Sequence, residues 1–245
     1  MSGAGARHGS DRMSGRIERL LRARADRSRI PILQSFFKTG PGQYAEGDVF
    51  IGVTVPQLRL VCRECADATS DDRLRLLRSA VHEERALALL MMADAFKRAD
   101  EAGRRTLYEQ YLANTATINN WDLVDCSAAD IVGGWLADRS RRPLQRLARS
   151  KSLWERRIAI VATHHFIRKG EIDETFRVAD ILLHDENDLI HKAVGWMLRE
   201  AGKRDPAAER GFLKSRYTQM PRTMLRYAIE RFPERERQAY LRGTI

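Results

Sequence analysis

The stretch WERRIAIVATHHFI, residues 154–167, has the pattern that decides the fold. A polar, charged start is followed by apolar residues at helical spacing, and a similar helix start recurs four more times along the chain. The other copies are EERALALLMMADAF (83–96), NNWDLVDCSAADIV (119–132), LIHKAVGWMLREAG (189–202) and MPRTMLRYAIERF (220–232). The residues that align across the five copies are Arg85, Trp121, Arg157, Lys192 and Arg222. They lie 36, 36, 35 and 30 positions apart, and a period in the mid-thirties is typical of helical repeats that stack on one another.

The composition agrees with a helical fold. Strong helix formers fill most of the 245 residues, and only 7 Pro and 16 Gly interrupt them. We therefore predict an all-α fold, an α-solenoid superhelix of HEAT-like helical repeats whose corresponding helices line a concave basic groove. Helices are expected, among other places, over 120–137 and 153–168. The small, polar segment 1–15 is predicted to be a disordered tail, and 16–245 a single repeat domain.

The charge of the chain predicts a polyanionic partner. There are 43 Lys and Arg against 33 Asp and Glu, which gives a net charge of +10 and a pI near 9.9. No apolar run approaches the ~20 residues of a membrane span, so nucleic acid is favoured over a membrane. Residues 139–169 hold ten basic side chains and one acid, Glu155. This patch is interpreted as a phosphate-binding surface, with an idle basic face as the alternative.

The cysteines and histidines do not indicate a metal site. Cys62 and Cys65 form a C-x-x-C pair without a second pair at zinc-finger spacing, so thiols on and beside a buried helix face are favoured over a metal or redox site. His164 and His165 are adjacent on a helix and point apart, and no cluster of acids accompanies them. We expect no metal, no cofactor and no membrane contact. We also expect a monomer in the cytoplasm, associated with the nucleoid in a bacterium.

The segment NNWDLVD, residues 119–125, contains a candidate site. Asn119 or Asn120 suits a helix N-cap, and Asp122 would then complement the helix dipole. Asp125 has no such explanation, because it lies one turn after Trp121 on the same helix face. It is interpreted as a functional carboxylate, and an ion pair with a neighbouring arginine, for instance Arg157, is the alternative.

A second indole, Trp196, occupies a similar position two repeats later. Gly195 precedes it and would let another group come close. A Trp in the hydrophobic core is the alternative interpretation of this residue. Aromatic faces, a carboxylate and cations along one groove would suit a sugar-phosphate backbone.

Three segments together, NNWDLVD, WERRIAIVATHHFIRKG (154–170) and HKAVGWMLREAGKRD (191–205), resemble the AlkD-like DNA alkylation repair proteins, which are alkylpurine DNA glycosylases of HEAT-like repeats. The resemblance implies excision of cationic N3- and N7-alkylated purines from duplex DNA without flipping the base. It also implies that Trp121 and Trp196 contact the sugar-phosphate at the lesion, that Asp125 is the catalytic carboxylate, and that Arg157 contacts phosphate.

The chemistry is consistent with this resemblance. An alkylated purine that is already cationic is a good leaving group, so the enzyme has to stabilise the oxocarbenium-like sugar and position water, which a carboxylate can do. Further DNA contacts are expected from basic and aromatic side chains. With Arg157, the expected DNA-binding set is Arg156, Lys192, Arg149, Lys151, Arg85, Arg222, Phe36 and Tyr44.

The segment 36–59 departs from the family pattern. Phe36 aligns with a tyrosine of the best-studied members and lacks its hydroxyl, and the loop KTGPGQYAEGD (38–48) is longer than theirs. Tyr44 either substitutes for the missing group or is structural. Glu46 and Asp48 would repel DNA unless they face away from it.

Two alternative functions stay open at the level of sequence. A non-catalytic binder of damaged or branched DNA could use the same groove. A protein-binding scaffold is also compatible with helical repeats, although affinity for bare duplex DNA that falls steeply with salt would contradict it.

Overall fold

The structure is a computed structural model that describes residues 4–245, with side chains from Met13 onward. This part of the chain is helical, with one isolated β-bridge between Val49 and Val81, which confirms the all-α helical-repeat class. The helices are α1 (Ala4–Arg22), α2 (Ile30–Phe37), α3 (Val55–Glu64), α4 (Ser70–Leu77), α5 (His82–Arg98), α6 (Glu101–Ala113), α7 (Trp121–Asp125), α8 (Arg142–Ala148), α9 (Leu153–Ala162), α10 (His164–Arg168), α11 (Asp173–Ile181), α12 (Asp188–Gly202), α13 (Pro206–Lys214), α14 (Arg222–Ala228) and α15 (Glu234–Arg242).

Side-chain caps explain where several helices begin. Thr54 and Gln57 form a reciprocal capping box at the start of α3, and Thr69 and Asp72 form another at the start of α4. The Ser152 hydroxyl accepts a hydrogen bond from the Glu155 backbone N–H at the start of α9. These polar residues occupy otherwise unpaired backbone groups, so they fix the helix starts.

The chain divides into two compact units, Met1–Ser127 and Ala128–Ile245. In the first unit, α4 pairs with α5, and α3 packs beside α5. In the second unit, α8 pairs with α9, and α9, α12 and α14 stack in succession. The predicted single domain over 16–245 and the predicted concave groove stay predictions.

The second unit uses glycines for close helix packing. A Cβ on Gly195 of α12 would lie 2.4 Å from the Met224 carbonyl oxygen and 2.5 Å from the Tyr227 Cβ on α14. The sequence suggested that Gly195 admits an approaching group, and in the structure that group is the backbone of α14. Gly133 has the same role, because a Cβ there would lie 2.3 Å from the Ala162 carbonyl oxygen.

Some helix bounds differ from the sequence predictions. Helix α1 begins at Ala4, within the segment expected to be a tail, whereas residues 1–3 lie outside the described part. The range 120–137 contains the short α7 and a π-helical turn over Ala129–Gly133. Between them the Ser127 hydroxyl donates to the Leu123 carbonyl oxygen at 2.6 Å, a local bond of the kind that competes with regular helix.

The structure also addresses membrane insertion. Among the described residues, none of the helices is both long and apolar enough to cross a membrane.

Candidate active site

Helix α7 carries the first two candidate residues at its two ends. The Asn120 side chain accepts a hydrogen bond from the Trp121 backbone N–H at 2.8 Å, which caps the helix. Leu123 and Val124 are buried and anchor the helix in the first unit. Trp121 and Asp125 are both partly buried, and their spacing of four residues places them on one face of this single turn.

An aromatic cluster surrounds Trp121, and we define it as Phe36, Phe37, Tyr44, Phe50 and Trp121. The Phe37 ring stacks on Trp121 at a centroid distance of 5.4 Å, and the Phe36 ring meets the same indole edge-to-face at 5.6 Å. Phe36 is 59% exposed, whereas Phe37 and Phe50 are buried. The cluster therefore has a buried base and an outer part formed by Phe36 and the partly exposed Trp121.

Tyr44 belongs to this cluster. It packs, partly buried, against the core formed by Phe37, Ala45 and Phe50, which also supports Trp121. The structure thus brings together Phe36, Tyr44 and Trp121, three aromatic residues that the sequence proposed as DNA contacts. Because Tyr44 packs against this core, it also has a structural role in the cluster.

A largely buried ionic network includes Asp122, the residue after Trp121, and sequence reasoning missed its central residue, His82. The imidazole Nε2 of His82 is 2.8 Å from Asp122 Oδ2, and its Nδ1 is 3.0 Å from Asp48 Oδ2. Arg85 Nη2 donates to Asp48 Oδ1 at 2.6 Å. The sequence signal that could have indicated this network was a histidine at the first position of a helix that otherwise begins with acids.

The network changes the pKa values of its members. Burial would lower the pKa of His82, but hydrogen bonds to Asp122 and Asp48 outweigh burial and raise it to about 9. Burial would raise the pKa of Asp48, but the hydrogen bond from His82 and the charge of Arg85 outweigh burial and keep it below its ordinary value. At neutral pH, His82 is therefore an imidazolium beside ionised Asp48.

The segment that follows the long early loop and leads into α3 is attached to the first turn of α5. The Glu83 carboxylate accepts from the backbone N–H groups of Ile51 and Gly52, at 3.1 and 2.8 Å. Gly52 has φ +86°, and a Cβ there would lie 2.0 Å from the Asp26 carbonyl oxygen, so glycine is required. Asp48 is turned into the protein and does not face solvent, whereas Glu46 is exposed.

Two of the predicted DNA-binding cations are buried. Arg85 is 4% exposed and, besides its ion pair with Asp48, donates to the carbonyl oxygens of Ser79 and Ala80. Arg157 is 5% exposed and donates to the Leu189 carbonyl oxygen. Neither guanidinium is exposed, which does not fit the expectation that they line a groove.

Arg156 is the structural counterpart of Arg85. Its Nη1 donates to the carbonyl oxygens of Ser150 and Lys151, in the loop before its own helix, and its Nε pairs with Asp185 at 2.6 Å. Arg85 makes the same kind of contacts before α5. The repeat register therefore aligns Arg85 with Arg156, one residue away from the Arg157 alignment that the sequence suggested.

The other predicted contacts of the second unit are at its surface. Trp196 is partly exposed, and its ring lies 5.8 Å from that of His164. Arg149 and Lys151 are exposed in the loop between α8 and α9. Arg222 is also exposed, and Lys192 pairs with Asp188 at 2.7 Å.

Some of the basic side chains in the patch over 139–169 bind other side chains of the protein. Arg141 pairs with Glu171, and Arg168 pairs with Asp130 at 3.0 Å. Arg139 lies 3.7 Å from the centre of the Trp135 ring. The exposed cations of the patch are Arg142, Arg146, Arg149, Lys151 and Lys169, together with the Arg139 and Arg168 just described.

The two thiols of the C-x-x-C pair are buried. Cys62 and Cys65 are 8% and 1% exposed, and burial raises the pKa of both thiols. Both features favour the interpretation of these residues as packed, protonated thiols.

Comparison with known proteins identifies the family. The sequence profile described as DNA alkylation repair enzyme matches residues 17–232, whereas no curated protein matches the chain. A solved structure described as a predicted DNA alkylation repair enzyme from Enterococcus faecalis has a similar fold, with a TM-score of 0.66, 16% identity, and coverage of 86% of this chain and 98% of that chain. At this identity the structural likeness shows the shared fold alone. The profile covers most of the sequence, and the chain therefore belongs to the family of DNA alkylation repair enzymes.

Proposed function

We propose that this family member is a DNA glycosylase that excises cationic N3- and N7-alkylated purines from duplex DNA without flipping the base. The observation that carries the proposal is the arrangement on α7, where the indole of Trp121, extended by the exposed Phe36 ring, lies one helical turn before Asp125 on the same face. An aromatic surface beside a carboxylate suits a deoxyribose that acquires positive charge.

The proposed chemistry assigns a role to each of these groups. The alkylated purine leaves as a neutral base, so no general acid is needed. The Asp125 carboxylate stabilises the oxocarbenium-like sugar and orients the attacking water, while Trp121 and Phe36 pack against the sugar-phosphate backbone. Asp125 is partly buried, which reduces the screening of its charge by water.

The second unit supplies the proposed phosphate contacts. Arg149 and Lys151 are exposed beside the start of α9, where the positive end of the helix dipole favours an anion. Trp196, Arg156, Lys192 and Arg222 are proposed as further contacts. Arg157 is assigned to phosphate by family resemblance, although in the structure it is buried. We propose that a monomer in the cytoplasm is the working form.

One observation favours a second function, non-catalytic binding of damaged or branched DNA. Phe36 has no hydroxyl, so the aromatic cluster lacks the tyrosine expected at this position of the family pattern. The same exposed rings and cations would still hold a DNA backbone. The two functions differ in whether base is released.

The decisive experiment is release of 7-methylguanine and 3-methyladenine from methylated duplex DNA by wild type and Asp125→Asn, with duplex binding measured in parallel. We expect the variant to bind normally and to release base slower by on the order of a hundredfold. Asp94→Asn is the matched control, because it removes one carboxylate of the same unit from an exposed pair with Arg98. Binding by wild type without any base release would support the non-catalytic function instead.

A further inference from the structure

The orientation of α7 depends on contacts with the rest of the first unit. The helix contains five residues, and a helix of this length has no stability of its own in water. Trp121 and Asp125 occupy its two ends, so any rotation of α7 moves both side chains. Leu123 and Val124 provide its buried apolar contacts, and Asp122 provides a partly buried polar contact.

The polar contact of Asp122 is made by His82. The Oδ2 atom accepts from His82 Nε2 at 2.8 Å, whereas the buried Oδ1 atom has no hydrogen-bond partner among the described residues. Asp122 is 22% exposed on its side chain and His82 3%. In the part of the chain that the structure describes, His82 is thus the hydrogen-bonding partner that holds this carboxylate in place.

The other groups around His82 hold the imidazole in turn. Asp48, from the long loop, accepts from Nδ1 at 3.0 Å and is itself paired with Arg85 of α5. The Phe37 ring of α2 and the Phe50 ring, just after the loop, each lie 4.7 Å from the imidazole, centre to centre. The loop, α2, α5 and α7 therefore meet at one histidine, and the charged groups that face it are Asp48 and Asp122.

We propose that His82 is a positioning residue for the proposed glycosylase site, because it ties the Asp122 carboxylate to the loop carboxylate Asp48 and so fixes the orientation in which α7 presents Trp121 and Asp125. This inference rests on the proposed function for its effect on catalysis. Its structural part, the coupling of His82 to the position of Trp121, can be tested without any activity.

The protonation state of His82 decides whether this link is complete. An imidazolium donates to both carboxylates at once, whereas a neutral imidazole has one N–H and turns a lone pair towards the other carboxylate. Asp48 keeps the Arg85 guanidinium as a second partner, but Asp122 has no second partner in the described residues. The one remaining N–H is therefore best used by Asp122, and loss of the proton breaks the tie between α7 and Asp48 of the loop.

The first test follows the indole N–H signal of Trp121 by NMR between pH 7 and pH 10, in wild type and in His82→Gln. We expect the signal to titrate in wild type with a midpoint near 9, the pKa of His82, and not to titrate in the variant. A Trp121 signal that is constant over this range in wild type would overturn the proposal, and this measurement does not depend on whether the variant folds.

The second test is a double-mutant cycle on base release with His82→Gln, Asp122→Asn and the double variant. We expect each single change to slow release by on the order of tenfold to a hundredfold with duplex binding unchanged, and the double change to cost no more than either alone. Additive losses would contradict the link. Asp72→Asn, a buried carboxylate on α4, is the control and should release base at the wild-type rate.

The two tests separate the two proposals. If wild type releases no base, the proposed function fails, and the Trp121 titration still decides whether His82 positions α7. If wild type releases base but Trp121 does not titrate, the proposed function stands and the positioning role of His82 is wrong.

Discussion

Arg85 Nη2 lies 2.6 Å from Asp48 Oδ1, in an ion pair in which each side chain is 5% exposed. This pair joins the long early loop to α5. Asp48, which was expected to repel DNA unless it faced away, is neutralised inside the protein by a cation that was expected to bind DNA. The ion pair therefore makes Arg85 a stability residue and separates it from the exposed cations of the second unit.

The Arg85→Gln variant should be strongly destabilised. The change leaves the Asp48 carboxylate buried with a weakened set of partners, and removal of one partner of a buried pair costs about 3 to 5 kcal/mol. Denaturant unfolding measures this cost. Arg149→Gln removes the same charge from an exposed position of the second unit and should change the free energy of unfolding by about 0.5 kcal/mol or less.

For DNA binding the order should be reversed: loss of the exposed cations should weaken binding, and loss of Arg85 should not. Because Arg149 and Lys151 are exposed, the variant with both changed to Gln should bind duplex DNA more weakly and lower the slope of log affinity against log salt by about 2. At a temperature where it is folded, Arg85→Gln should keep the wild-type slope. A reduced slope for Arg85→Gln would show that this buried side chain reaches phosphate.

Phe36 should contribute to DNA binding and little to stability, because its ring is 59% exposed and meets Trp121 edge-to-face. We expect Phe36→Ala to weaken duplex binding by about 1 to 3 kcal/mol, the usual value of an aromatic ring that contacts nucleic acid. Ile32→Ala, one turn earlier on α2 and 71% exposed, is the control for loss of apolar surface. Equal losses in both variants would argue against a specific contact by Phe36.

The sequence was informative where a signal was local. The α7 start at Asn120, the spacing of Trp121 and Asp125, and the helical repeats of the second unit all follow from cap residues and apolar periodicity, which act within one or two turns. Buried thiols at Cys62 and Cys65 were also anticipated, since their helix has a clear apolar face.

The sequence was not informative where long-range pairing decides the outcome. Asp48 lies 34 residues before His82 and Asp122 lies 40 residues after it, and no periodicity relates the three. Arg85 and Arg157 look like exposed cations at helix starts, but each finds an acceptor within the protein that the repeat alignment cannot identify. A basic residue in a repeat can bind either an internal carbonyl or a phosphate, and only tertiary packing decides between them.

Stability should fall as the pH rises through the range set by His82. Its pKa is raised from 6.5 to about 9 on folding, so its contribution is fully present below pH 6.5 and is lost as the pH rises to about 9. A shift of this size corresponds to roughly 3 kcal/mol. The measurement is the free energy of unfolding from pH 6 to pH 10 for wild type and His82→Gln.

The difference between the two curves isolates His82 from other titrating groups. Burial raises the pKa of Glu209, in the second unit, to about 8, so Glu209 also lowers stability with rising pH, but equally in both proteins. A constant difference between wild type and His82→Gln from pH 6 to pH 10 would mean that His82 is not held as an imidazolium in the folded protein.

Gly195 should be intolerant of even a methyl group, because its Cα faces the backbone of α14. A Cβ would lie 2.4 Å from the Met224 carbonyl oxygen, so Gly195→Ala must push α12 and α14 apart, and overpacking of this kind costs about 1 to 3 kcal/mol. Gly211→Ala is the matched control, since Gly211 lies within α13 and a Cβ there meets nothing within 4 Å. That change should stabilise the protein by up to about 1 kcal/mol through helix propensity. Opposite signs for the two variants in thermal unfolding would establish that Gly195 serves helix packing, whereas a neutral Gly195→Ala would return it to the role suggested by the sequence, as a site of approach for another group.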